Sequence, residues 1–176
     1  MRRHIVKLPG VVLAGALLTV SIGDADAQGI PARSEHAKAC AFLPVADLEA
    51  HFGTKATNVG GMDLSTRATC GASFPDPLHA ATLESHPSSA ADLAMTAAQR
   101  LDFLKQAMGG ELQETRDFGS VGCFRAIVKL AKPVHETTCF LAKAPYLRLS
   151  VHSVDAAQAN YDVVKSLLEK AAALRK

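Results

Sequence analysis

The chain contains no tryptophan and only two tyrosines. That removes the aromatic platforms on which single-strand nucleic-acid binders stack successive bases. An excess of charge is missing as well: 19 Lys and Arg stand against 17 Asp and Glu, a formal net charge of +2. A near-neutral chain has no global attraction to nucleic acid or to an anionic membrane surface. No Cys-x-x-Cys occurs, so the close pair that tunes a redox thiolate is lacking. Gly-x-Ser-x-Gly is also absent, which removes the serine-hydrolase elbow. The apolar run at 11–20, broken by Gly15 and Thr19, falls short of the roughly 20 residues a bilayer core demands.

That run has a different meaning. Arg2, Arg3 and Lys7 precede it, and Ala25-Asp26-Ala27 follows with small residues where a signal peptidase reads. Positive, apolar and small-residue segments in that order predict a cleaved secretory signal over 1–27. Cys40 is too far downstream to be a lipid-attachment site. Polar residues and Pro31 at 28–39 predict a flexible N-terminal arm, and 40–176 is long enough for a single domain. The expected location is the periplasm or the medium, with no stable membrane insertion once the signal is removed.

All four cysteines, Cys40, Cys70, Cys123 and Cys139, lie beyond the signal. An even count in an exported chain implies two disulfides. Three pairings are possible; local structure favours Cys40–Cys70 and Cys123–Cys139. Pro44 starts a short helix carrying Val45, Leu48 and Phe52, and Gly53 stops it. A weak strand is expected at 55–59. Residues 67–74 alternate, with Ala68, Cys70, Ala72 and Phe74 on one side, and 78–85 can return as a partner strand. The clearest helix starts at Ser88 or Ser89 and carries Leu93, Ala97, Leu101, Leu104 and Met108 before Gly109-Gly110. Strands follow at 111–118, 121–130 and 136–153, the last split at Ala144-Pro145. A final helix covers 155–174. Short turns favour antiparallel neighbours. The expected fold is therefore an α+β two-layer sandwich: an antiparallel sheet, helices packed on one face, and two disulfides.

The stretches Cys40-Ala-Phe-Leu-Pro-Val-Ala-Asp-Leu and Cys70-Gly-Ala-Ser-Phe carry a resemblance. They resemble a group of small bacterial cell-envelope proteins that is similar to the extracellular sensor domain of mycobacterial Ser/Thr kinases. The resemblance implies a two-disulfide α+β sandwich with a groove for a small ligand. The chain departs from that pattern in having Phe74 where a tryptophan is common and in having no lipid-attachment cysteine.

Catalytic and cofactor chemistry finds no motif. His36, His51, His79, His86, His135 and His152 follow no metal-ligand spacing, and no acidic run fits calcium. Asp117-Phe118-Gly119 copies a kinase tripeptide without the loops that accompany it. Gly119-Ser120-Val121-Gly122 precedes a strand rather than a helix, so no dipole supports a phosphate there. No catalytic residue, metal or cofactor is therefore assigned. If the helices cover one face of the sheet, Arg67, Arg125, Arg148 and His152 fall on the other with Thr69, Ser73 and Ser150. Arginines among hydroxyls can hold a carboxylate or phosphate. The expected function is an exported, soluble, non-enzymatic binding or sensor-like module of the cell envelope, its partner a small molecule or an envelope protein. The alternative is an interaction or inhibitor protein acting through a sheet edge, and a small hydrolase ranks third.

Overall fold

The computed structural model describes residues 37–87, 95–108, 112–144 and 146–175. The expected signal, His36 and most of the N-terminal arm lie outside the described residues. So do Leu93, the Ser88 and Ser89 caps, Gly109-Gly110 and Pro145.

Residues 37–39, expected to belong to the flexible arm, are held instead. A 3₁₀ turn at Lys38–Ala41 buries Ala39, and the Lys38 N–H donates to Asp63 Oδ1 at 3.0 Å. The turn is pinned by the Cys40–Cys70 bridge, whose Cα atoms are 5.0 Å apart. Helix α1, Val45–Phe52, follows Pro44 and buries Leu48 and Phe52. Gly53 closes it in the left-handed region at φ 68°, where glycine meets no Cβ penalty.

Helix α2, Ala97–Met108, opens on a reciprocal cap that the sequence reading missed. Thr96 Oγ1 accepts from the Gln99 N–H, and Gln99 Oε1 accepts from the Thr96 N–H. This is the capping-box arrangement, which satisfies two donors at once. Helix α3, Tyr161–Leu174, begins later than the expected residue 155. Asp155 instead accepts from the Ala157 N–H and closes a turn with Gln158, while Asn160 Oδ1 accepts from the Val163 N–H and caps the helix. The stripe Tyr161, Val164, Leu167, Leu168 and Ala171 is buried.

Seven strands form one antiparallel sheet: β1 (Asn58–Asp63), β2 (Ala68–Ser73), β3 (Ala80–Ser85), β4 (Leu112–Asp117), β5 (Val121–Val128), β6 (Val134–Leu141) and β7 (Leu147–Ser153). Their order across the sheet is β1-β2-β3-β7-β6-β5-β4. Two meanders, β1 to β3 and β4 to β7, thus join where β3 pairs with β7 through Leu83 opposite Leu149. Cys123 lies directly opposite Cys139 in the β5–β6 ladder, and the two are bonded with Cα atoms 4.1 Å apart. Both expected disulfides are present.

The α+β sheet with packed helices is as expected, but the helices divide between its faces. Registers place Cys70, Ala72, Ala81, Leu83, Val121, Cys123, Cys139, Leu147, Leu149 and Val151 on one side. This side forms the main core with α1 and α3. Helix α2 takes the other side, where Ala97 and Leu101 pack on Phe124, Phe140 and Ala142. The reason lies in β5 and β6: Phe124 and Phe140 put two large rings on the second face, and α2 carries the apolar stripe that removes them from water. Gly122 makes room for this packing, since a Cβ there would lie 2.5 Å from the Phe140 ring.

Candidate functional site

Beyond α2, the second face of the sheet is polar. Strand alternation from β2, β3, β7 and β6 brings Thr69, Ser73, Thr82, Glu84, Arg148, Ser150, His152, Glu136 and Thr138 to one side. Three of the four expected ligand residues share that face, Arg67 and Arg148 around Glu84 and His152 against Glu136. Their side chains remain 47%, 37% and 36% exposed.

Two carboxylates that the sequence reading passed over organise this surface. Glu84 faces Arg67 at 4.0 Å, Arg148 at 3.9 Å and His86 at 3.7 Å. None of these is close enough for a good hydrogen bond, which for N–H···O lies near 2.9 Å. One carboxylate therefore sits loosely among two guanidiniums and an imidazole. Glu136 is engaged more fully. It faces His152 at 3.5 Å and accepts from Thr138 Oγ1 at 3.0 Å. Thr138 in turn shares a 2.7 Å bond with Ser150, and both are buried. The His152 contact, helped by Thr138 and by the positive charge of Arg148, holds the Glu136 carboxyl below the usual carboxylate range despite its partial burial. The alternation of 78–85 carried the signal for Glu84, since Leu83 is a core residue and its neighbour must face away. Glu136 was hidden because β6 is buried on both sides at Thr137, Thr138, Cys139 and Phe140 and so shows no polar face in its sequence.

Arg125 does not join them. It lies opposite Thr137 on the face covered by α3. Its guanidinium donates to the Ala159 carbonyl at 3.1 Å and to Thr137 Oγ1 at 3.4 Å, and it stacks 4.9 Å from the Tyr161 ring centre. Arg116 of β4 lies 4.8 Å from the same ring. Burial, with a lesser push from Glu114, raises the Tyr161 hydroxyl to about 12, so the phenol stays neutral.

Concave sites elsewhere are less open to a ligand's charge. A groove of about 510 Å³ between α1 and α3 contains Asp47, His51, Asp162 and Lys170. Lys170 is already paired with Asp47, and His51 Nε2 lies 2.7 Å from the Gln158 carbonyl oxygen. A second groove of about 320 Å³ runs from Met95 and Thr96 to Lys143 and Tyr146, near the start of α2. Among the described residues no three His, Cys, Asp or Glu side chains converge as metal ligands. No described helix is long and apolar enough to cross a membrane.

Compared with known proteins, the chain matches no family model, no curated protein and no solved structure.

Proposed function

We propose that the protein is an exported, non-enzymatic binding module of the cell envelope that takes an anionic small molecule on the polar face of its sheet. The observation that carries this reading is the Glu84 cluster. Arg67 and Arg148 share one carboxylate and each approaches it no closer than 3.9 Å. A guanidinium offers five N–H donors in a fixed fork. Most of those donors make no hydrogen bond among the described residues and can turn to a carboxylate or phosphate. The two guanidiniums carry one more charge than Glu84, part of whose effect falls on Glu136. Thr69, directly opposite Glu84 on the neighbouring strand, adds a hydroxyl donor beside them. Two disulfides suit a protein that works in an oxidising compartment, and the motif likeness to envelope sensor domains points the same way.

Thermal denaturation against inorganic phosphate and citrate tests the reading. A ligand present at a hundredfold its Kd stabilises by about 2.7 kcal/mol. We expect at least one of the two anions to raise the wild-type melting temperature and the Arg67→Ala/Arg148→Ala variant to lose that rise. Equal shifts in both proteins, or none in the wild type, would remove the polar face as an anion site.

A further inference from the structure

Strand β4 forms one edge of the sheet, with β5 on one side and no strand on the other among the described residues. We infer that this edge is a dimerisation surface, and that its partner is β4 of a second copy of the chain, paired antiparallel about Thr115.

The backbone sets which residues can pair. The Phe118 N–H donates to the Val121 carbonyl at 2.8 Å, and Arg116 and Glu114 lie opposite Cys123 and Arg125. In an antiparallel ladder the inward and outward residues alternate. Residues 114, 116 and 118 therefore turn their backbone groups towards β5. Thr115 and Asp117 turn theirs outward, with no strand among the described residues to receive them. A two-fold axis through Thr115 lets the two Thr115 residues exchange both backbone hydrogen bonds.

Side-chain charge then selects the register. With Thr115 opposite Thr115, Glu114 of each copy faces Arg116 of the other, in the narrow pairs where side chains approach most closely. Moving the axis one residue either way sets Glu114 against Glu114 or Arg116 against Arg116, which like charges disfavour. Charged side chains on an edge ordinarily discourage pairing. Here their order makes a single register self-complementary, as an isologous dimer interface requires. Within one copy Arg116 Nε already donates to Glu114 Oε1 at 3.4 Å, yet the two side chains stay 50% and 48% exposed, so each can also reach its counterpart in the second copy. Such an axis is normal to the sheet, so each face continues into the same face of the partner. Helix α2, which covers β4 and β5 on one face, thus comes to the same side of the joint in both copies. It carries Phe103, a large apolar side chain left 61% exposed.

The chain is expressed as encoded, and the form that accumulates is followed by sedimentation velocity over a concentration series. A reversible dimer is expected. Glu114→Arg and Arg116→Glu should each weaken it about tenfold or more, because two favourable pairs become two repulsive ones. The Glu114→Arg/Arg116→Glu variant restores the pairs in reversed order and should dimerise again. A monomer at every concentration overturns the proposal, as do single reversals that leave association unchanged or a double reversal that fails to restore it. Hydrogen exchange at the Thr115 amide reads the same contact in the unaltered protein. That amide should exchange more slowly as concentration rises, and a rate independent of concentration overturns the proposal even where a variant does not fold.

Discussion

Arg125 illustrates how a single residue is assigned to a face. Alternation along β5 puts it opposite Phe124, and an apolar Phe124 is naturally read as facing the helices. Yet Val121, Gly122, Cys123 and Phe124 are all buried, because α3 covers one side of β5 and α2 the other. A strand buried on both faces has no polar side to announce itself. Arg125 consequently sits under α3, its donors spent on Ala159 and Thr137 and its plane against Tyr161. Its role is to join β5 to the start of α3. Arg125→Ala should lower stability by roughly 1–3 kcal/mol, from a lost charge-assisted hydrogen bond and a lost ring contact. The same substitution should leave any anion-induced rise in melting temperature intact. Urea denaturation and the phosphate and citrate titrations check the two halves separately, and a lost rise would return Arg125 to the ligand site.

Elements differ in how local their causes are. The hairpins β1–β2, β2–β3, β4–β5, β5–β6 and β6–β7 each join strands adjacent in sequence. Turn residues and alternation therefore announced all but the first, whose leading strand was expected at 55–59 and lies at Asn58–Asp63. The disulfides follow the same logic. Cys123 and Cys139 face each other across one hairpin, while Cys40–Cys70 ties the 3₁₀ turn to β2. Their sequence separations are 16 and 30 residues. In the chain-entropy model such loops stabilise by about 3 and about 3.6 kcal/mol. Replacing each pair by alanines should lower stability by those amounts in non-reducing urea denaturation, with the larger loss for Cys40→Ala/Cys70→Ala. A larger loss from the Cys123 and Cys139 pair would show that the bridge braces the folded sheet more than it restricts the unfolded chain. Helix starts were harder to place than hairpins. Asp155 looked like the beginning of α3, but its carboxylate serves a turn and Asn160 supplies the cap.

Across the whole molecule, charge and topology act together. Glu136 is held below the usual carboxylate range, first by His152 and further by Thr138 and Arg148. Glu49, within α1, is lowered as well, by Lys55 and the Ala56 N–H. A carboxyl whose folded value is depressed contributes stability that is present above its unfolded value and is lost as pH falls through the folded one. The protein should therefore lose stability with acidification below the ordinary carboxylate range. Glu136→Gln should flatten that acid limb in urea denaturation run as a function of pH. A limb equally steep in the variant would assign the acid sensitivity to other groups.

The sequence by itself determined what has local causes: the order of strands and helices and the favoured cysteine pairs, though not the bounds of the first strand, expected at 55–59 and found at Asn58–Asp63. Period-two alternation, helical stripes, glycine stops and turn residues act over a few positions, so the residues concerned can be read in place. Only the tertiary structure decided that β3 pairs with β7, that α2 crosses to the second face, and that Arg67, Arg148 and His152 meet Glu84 and Glu136 while Arg125 does not. Those outcomes depend on which apolar surfaces find one another across long stretches of chain. Phe124 and Phe140 can be covered only by a stripe of matching width, and that match exists in space rather than at any spacing along the sequence. The absence of tryptophan and of charge excess narrowed the partners from the start. The loose cluster around Glu84 and the self-complementary order of Glu114 and Arg116 at an open edge came into view only once the strands were side by side.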